Sequence, residues 1–504
     1  LVYSLTRGLF AALNNDLFPN VPIASFLGGI RFDAFAIAWT NLPWVLLFLI
    51  HPKPGSKVFR AVQLWLFLLL NATALFFQFV DVEFYNFSLK RSTADLLRIM
   101  TTGNDTANLA PAFLRDYWYM LLLYLGSLIA LLWAYRKAER LNDVATKWPW
   151  RIGWRASAIV LLTVASRGGL QLIPLQVLDA AQYGGVASLP VTLNTPFTIM
   201  TSWGKPTLEE KNYLSQPEAD LLWPVKHHYT DPFNIPGRPN VVLVILESFS
   251  AAYSARLSGE EGYMPFLDSL MGEGLNMTKA YANGRRSIDG IPSILASMPE
   301  LMDEAFITSP YASLPFTSLA NTLGSKGYAT SFYHGGRNGT MGFDGFVHSA
   351  GFSRYVGLNE YPGAADDHDG HWGIRDKPFL QFWAQELARE EQPFLSCMFT
   401  LSSHHPYELP AEDAKRFAGG TQDIHPTLRY ADDALRQFFA TARTMPWYSN
   451  TLFVITADHT ADIDRSGQHY TKATDYWVPL LYYKAGQILP MQQPRVTQHG
   501  CIPA

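Results

Sequence analysis

Four apolar runs in the second half of the chain each lead into a side chain able to bind a metal ion or a phosphate. Residues 241–246 are followed by Glu247, 328–333 by His334, 394–401 by His404 and His405, and 452–456 by Asp458 and His459. Taken singly, such positions are bland, since a Glu after a strand often serves a turn and a lone His often serves a structural hydrogen bond. Repetition at four strand ends favours a shared site. Glu247, Asp458 and His459 would supply two carboxylates and an imidazole, a set suited to Mn²⁺, Mg²⁺ or Zn²⁺ without choosing among them. The missing partner of that set is a nucleophilic hydroxyl, because coordination lowers its pKa and favours the alkoxide. Ser287, in the run NGRRSIDGIPSILAS, is the candidate. A Gly-containing turn precedes it and a helical pattern follows, so it also reads as a helix N-cap. The same helix start would favour an incoming phosphate. Arg285 and Arg286 read either as additions to that field or as exposed surface charge, and Asp289 as an ordinary first-turn acid.

These residues need a frame that brings the strand ends together. Between the apolar runs lie helical patterns at 316–323, 379–388 and 428–442. Alternation of this kind predicts an α/β domain on a mostly parallel sheet buried on both faces, with ligands beyond the carboxyl ends of its strands. The run DDHDGHWG at 366–373 is rich in metal-binding types but lacks the spacing of a known motif, and it reads mainly as a structural loop.

The first part of the chain has a different solvent. Residues 34–50, 58–80 and 118–135 are apolar enough to cross a bilayer, which takes about 20 helical residues. A weaker fourth span, 156–173, carries Arg167, Gly168 and Gly169 near its end. Residues 1–13 fit a span stump or an amphipathic surface helix, and 81–116 an amphipathic segment on the outer surface. Lys53, Lys57 and Arg60, and later Arg136, Lys137, Arg140, Lys147 and Arg151, fall on one side if all four segments span, and that side should be cytoplasmic. The expected division is a transmembrane helical domain at 1–173, a linker at 174–238 and an extracytoplasmic α/β domain at 239–504, with both ends of a longer chain trimmed. The formal net charge of -4 comes without a Lys/Arg-rich stripe, which gives no support to a nucleic-acid partner. Cys397 and Cys501 allow one bridge at most and no Cys-based zinc site.

The segments VVLVILESF, GRRSIDGIPSI, YHGG, TLSSHHPY and ITADHT, in that order after several spans, resemble the lipoteichoic acid synthase family within the alkaline phosphatase and sulfatase superfamily. The resemblance implies one divalent ion, manganese first, held by Glu247, Ser287, Asp458 and His459, with His334 and His404 on the substrate. The family's nucleophile is commonly Thr, so Ser287 is a departure that keeps the hydroxyl. A headgroup-binding Trp and Arg are expected shortly after His334; the stretch GGRNGTMGFD offers only Arg337, at a shifted position. Implied activity is a two-step transfer of a phosphoglycerol or phosphoethanolamine group from a membrane phospholipid, through phospho-Ser287, to a glycan or glycerophosphate hydroxyl. A hydrolase of the same superfamily and an inactive membrane regulator or lipid sensor are the alternatives. The formylglycine motif of true sulfatases, C/S-x-P-x-R, is absent, because Ser287 is followed by Ile288, Asp289, Gly290 and Ile291.

Overall fold

The computed structural model describes residues 1–50, 57–88, 91–94, 96, 115–141, 148–171, 173–205, 208, 212–222, 237–302, 304–461, 471–488 and 490–503. Its contacts divide the chain into two compact units, Leu1–Thr207 with Thr308–Pro315, and Leu208–Ile307 with Phe316–Ala504.

The first unit is helical: α1 (Val2–Leu13), α2 (Ile23–Ile50), α3 (Lys57–Ser88), α4 (Trp118–Leu141) and α5 (Trp148–Arg167), then the short α6 (Gly185–Thr192) and α7 (Thr195–Ser202). Among the described residues three helices are long and apolar enough to cross a membrane, Ile23–Leu49, Lys57–Asn86 and Trp118–Glu139. The fourth expected span differs. Its helix runs Trp148–Arg167 rather than 156–173, because the chain turns at Gly168 and Gly169, and polar residues in its first half keep it out of that set.

Hydrogen bonds fix the directions within the bundle. Asn41 and Asn71 exchange side-chain bonds between α2 and α3, Tyr124 reaches the Ala72 carbonyl at 3.2 Å and Tyr119 reaches Glu83 at 2.8 Å, so α4 runs antiparallel to α3. Trp39 donates to the Ser166 carbonyl at 2.9 Å and Arg31 to that of Gly168, which lays the end of α5 beside the first half of α2.

The first span starts earlier than position 34 because its polar residues are satisfied. Arg7 of α1 is paired with Asp33 at 2.5 Å and donates to the carbonyls of Gly29 and Val191. A Cβ on Gly29 would occupy the space of that guanidinium. Residues 174–205, expected as linker, fold into this unit: Leu189, Val191, Leu193 and Phe197 are buried in it. Around 208–214, where a helix was expected, the described residues are not helical, and the helix runs Gln216–Leu222 instead. Most of 81–116 beyond α3 lies outside the described residues.

The second unit is built on a nine-stranded sheet ordered β4-β3-β5-β1-β6-β8-β2-β7, with β9 on β2. Its strands are β1 (Asn240–Leu246), β2 (Leu275–Tyr281), β3 (Ala329–His334), β4 (Arg354–Val356), β5 (Phe394–Phe399), β6 (Thr451–Ala457), β7 (Trp477–Val478), β8 (Leu480–Tyr483) and β9 (Met491–Gln498). The central five strands, β4-β3-β5-β1-β6, are parallel, as the apolar, β-branched runs imply. Antiparallel pairing enters at β8 and β7. Helices α9 (Asp376–Leu387) and α10 (His425–Ala442) pack together, burying Trp383, Leu428, Leu435 and Phe438 in the core beside Val242, Val244 and Phe453. In register, Leu246 pairs with Ala457, Ile245 with Phe399 and Phe399 with His334, so four strands finish on one edge. Cys397 and Cys501 are free thiols, and the single bridge that the count allowed is not formed.

Candidate metal centre and nucleophile

Three of the predicted residues follow directly from that edge. Glu247 succeeds β1, and its backbone is fastened by Thr400 and Ser403 of the loop after β5: its N–H donates to Thr400 Oγ1 at 2.8 Å and its carbonyl accepts from Ser403 Oγ at 2.5 Å. Ser248 turns the chain at φ 59, in the left-handed region that a non-glycine residue rarely adopts. Its bonds hold it there, the N–H to Asp458 Oδ1 at 2.9 Å and the hydroxyl to Glu247 Oε1 at 2.6 Å. Asp458 and His459 succeed β6, and Asp458 Oδ1 also accepts the His459 N–H at 2.8 Å. That leaves Asp458 Oδ2 buried without a hydrogen-bond partner.

Ser287 arrives on the helix α8 (Ser287–Ala296). Arg286, not Ser287, is the N-cap residue, so the N-cap reading of Ser287 is corrected: it is the first helical residue and its hydroxyl is free for another task. The hydroxyl donates to Glu247 Oε2 at 3.2 Å and lies 3.3 Å from His459 Nε2. Packing this helix so close to β6 requires Gly290, where a Cβ would collide with the Asp458 carbonyl. The guanidinium of Arg286 is occupied by Asp289 at 2.7 Å and reaches Glu300, so Asp289 is its anchor rather than a plain first-turn acid.

These contacts pass a geometric test for a cation. Ligand atoms about 2.0–2.1 Å from a tetrahedral ion stand roughly 3.4 Å from one another. Here Ser287 Oγ is 3.2 Å from Glu247 and 3.3 Å from His459, while His459 Nε2 is 3.3 Å from Asp458 Oδ2 and 3.7 Å from Glu247 Oε1. His459 Nδ1 donates to the Thr460 carbonyl at 2.8 Å, which leaves the Nε2 lone pair aimed into the cluster. Among the described residues, Glu247, Asp458 and His459 form the group of three able to hold a metal ion. Burial, then the Asp458 carboxylate, pushes the Glu247 carboxyl well above the usual carboxylate range. Burial pulls the His459 imidazole down, but Asp458 and Glu247 outweigh it and raise it. Two buried carboxylates with one imidazole between them are short of positive charge, which a divalent cation supplies.

The remaining predicted residues stand around this cluster. His334, at the end of β3, is buried and stacked on Phe399, with Nδ1 donating to the Phe399 carbonyl at 3.1 Å; burial lowers its pKa to about 4. His404 is half-buried, donates from Nδ1 to the His405 carbonyl at 2.9 Å and is also lowered, first by burial. Both rings therefore present a bare Nε2. Arg337 is exposed, with its carbonyl accepting the Thr340 N–H at 3.0 Å and no hydrogen bond or ion pair from its side chain among the described residues.

Sequence reading missed what holds His404. Buried Asp376 accepts the N–H groups of Leu401 at 2.7 Å and Ser402 at 3.1 Å, and Trp372 donates to the His405 carbonyl at 2.7 Å while its ring lies 4.2 Å from that of His404. In the DDHDGHWG run, Asp369 accepts three consecutive backbone N–H groups and His371 pairs with Glu408 at 3.1 Å, which makes the run chiefly a loop organiser that presents Trp372. Only the run's mixture of an aromatic with acids hinted at this.

Residues 239–503 match the family described as Sulfatase. The chain is 28% identical over 253 residues to lipoteichoic acid synthase 1 of Bacillus subtilis, covering 46% of this chain and 38% of that protein. It is 23% identical over 294 residues to a lipoteichoic acid synthase of Staphylococcus aureus, covering 52% of this chain and 44% of that one. The chain thus spans less than half the length of these curated relatives. Among solved structures, a protein in the alkaline phosphatase superfamily from Vibrio parahaemolyticus superposes with a TM-score of 0.48 at 28% identity, over 53% of this chain and 64% of that one. The lipoteichoic acid synthase LtaP from Listeria monocytogenes gives 0.46 at 19% identity, over 53% and 70%. With its matched region covering more than half of its length, the chain belongs to the sulfatase family.

Proposed function

We propose that this protein is a membrane-anchored transferase that moves a phosphoglycerol or phosphoethanolamine group from a phospholipid to an acceptor hydroxyl, with Ser287 as the covalent carrier. The observation that supports it most is the placement of the Ser287 hydroxyl at the start of a helix, 3.2 Å from Glu247 and 3.3 Å from His459. A divalent cation on Glu247, Ser287, Asp458 and His459, with manganese as the first candidate, would favour the serine alkoxide and offset charge on the phosphoryl oxygens.

The chain's own groups carry the rest. With the Ser287 proton lost to solvent beforehand, Oγ bonds to phosphorus and the phosphorus–oxygen bond to diacylglycerol breaks, while a protonated His404 gives its proton to the departing oxygen. Neutral His404 then takes the proton of the acceptor hydroxyl as that oxygen displaces Ser287 Oγ from phosphorus. The N-terminus of α8 and Arg337 would favour the phosphate or headgroup charge, and His334, with its Nε2 lone pair, would accept a hydrogen bond from a headgroup donor. A phosphodiesterase, with water as acceptor, is the second reading, because its first half-reaction uses the same groups.

The three apolar helices support a membrane anchor next to a lipid donor. The antiparallel directions of α2 to α5 bring Lys57 and Arg60 of α3 and Arg136 and Lys137 of α4 toward one end of the helical unit, which supports a cytoplasmic side there, α5 as a fourth crossing and an extracytoplasmic catalytic domain. Incubating the full chain in phospholipid vesicles containing labelled phosphatidylglycerol or phosphatidylethanolamine tests the reading. Diacylglycerol release that disappears in Ser287→Ala is the expected outcome; equal release by Ser287→Ala would rule out the nucleophile.

A further inference from the structure

The oxygens of the two carboxylates in the cluster are not equivalent. In Asp458, Oδ1 accepts two backbone N–H groups, from Ser248 at 2.9 Å and from His459 at 2.8 Å, while Oδ2 is buried without a hydrogen-bond partner. In Glu247, Oε1 accepts the Ser248 hydroxyl at 2.6 Å and Oε2 accepts that of Ser287 at 3.2 Å. Each carboxylate thus gives one oxygen to the turn after β1 or β6 and the other to the cluster. Ser248 takes part in both, with its N–H on one and its hydroxyl on the other.

The two arrangements differ in what maintains them. Backbone groups alone fix Asp458 Oδ1, whereas a side chain fixes Glu247 Oε1. That oxygen also lies close to the cluster, 3.7 Å from His459 Nε2, so position by itself does not keep it off a shared cation. The hydroxyl does. The turn could form without it: a left-handed φ of 59 is more easily adopted by glycine than by a residue with a Cβ. Its two ends are fixed independently, by the bonds from the Glu247 backbone to Thr400 and Ser403 and by Phe249 in the core. What a serine adds at this position is the hydroxyl.

The number of oxygens a carboxylate offers bears on which ion a site prefers. Ca²⁺ takes about six to eight oxygen ligands and readily binds both oxygens of one carboxylate, whereas smaller divalent ions demand fewer ligands in tighter geometry. With Glu247, Ser287, Asp458 and His459 read as the cation ligands proposed above, we infer that Ser248 is a positioning residue that holds Glu247 to one ligating oxygen, Oε2, and so biases the site toward a small ion such as Mn²⁺ and against Ca²⁺. The His459 nitrogen acts in the same direction, since Ca²⁺ favours oxygen ligands.

The test is calorimetric measurement of Mn²⁺ and Ca²⁺ dissociation constants on the chelator-treated full chain in detergent, for the parent, Ser248→Gly and Ser248→Ala, with unfolding midpoints to identify folded variants. Glycine keeps the turn and its N–H and removes the hydroxyl; alanine removes the same hydroxyl and keeps the Cβ. In both variants Mn²⁺ binding is expected to weaken by about tenfold, while Ca²⁺ binding stays as it was or tightens. The preference for Mn²⁺ over Ca²⁺ then falls by about tenfold or more. A serine serving only the fold would weaken both ions alike, so a preference that is unchanged or increased in either folded variant overturns the inference. No Mn²⁺ binding in the parent would remove the cation reading and the role of Ser248 together. Mn²⁺ binding without diacylglycerol release would defeat the transferase reading alone, and the ion preference would still decide the role of Ser248.

Discussion

Both units of this protein bury carboxylates, and they neutralise them in opposite ways. In the helical unit, Asp33 meets Arg7 and Asp81 meets Arg91, each pair with almost no exposure. Further bonds complete both carboxylates: Asn194 and a second Arg7 nitrogen on Asp33, and Ser92 and Thr195 on Asp81. In the α/β unit, Glu247 and Asp458 share a single imidazole, and one Asp458 oxygen has no hydrogen-bond partner. Closed pairs of the first kind hold structure together; an open set of the second kind is a place where a cation belongs.

Substitutions separate the two kinds by size and sign. The largest effect is expected at the open set, where Ser287→Ala should reduce diacylglycerol release by at least about a thousandfold and leave the unfolding midpoint near that of the parent. In the closed set, Asp81→Ala strands Arg91 in the interior and should destabilise the helical unit by about 3–5 kcal/mol, read as loss of folded protein in detergent on heating. Gly290→Ala removes no reactive group, yet the new methyl would push α8 from Asp458, and kcat should fall by about 100-fold. Asp458→Asn should act in the opposite sense to Asp81→Ala: in chelator-treated protein it relieves repulsion with Glu247 and raises the unfolding midpoint by about 2–4 °C. The smallest effect belongs to Arg337→Ala, where an exposed charge worth about 1 kcal/mol would raise KM roughly fivefold with kcat retained.

Acidity offers a further contrast. The pKa of His404 is lowered from 6.5, first by burial, so more acid is needed to protonate it than an ordinary histidine requires. The first half-reaction needs the protonated ring and the second the neutral one, so transfer measured against pH should peak at a more acidic pH than an ordinary histidine would give.

The candidate site residues at the strand ends were legible because each follows an apolar run that reads as an interior strand. Glu247, His334, His404 and Asp458 share the edge predicted for them. Strand β4 was not read because it is only 3 residues long, and β2, β7, β8 and β9 were not read because they lie beyond the parallel core; β9 is mostly exposed and contains Pro494. Supporting residues were hidden for another reason. Gly290, Asp376 and Ser248 act through partners far away in sequence, and nothing local marks them. Arg31 and Asp33 made the start of α2 look too polar to be part of the first span, until Arg7 and the Gly168 carbonyl showed where those charges are met. For the same reason residues 174–205 read as a linker, since their Pro-rich pattern conceals two short helices buried by tertiary contacts.

Calorimetric titration of the chelator-treated full chain with Mn²⁺, alongside Asp458→Asn and Asp81→Asn, bears most directly on the open set. One site per chain in the parent, lost in Asp458→Asn and kept in whatever fraction of Asp81→Asn remains folded, is the predicted result. An undiminished site in Asp458→Asn, or none in the parent, would contradict it.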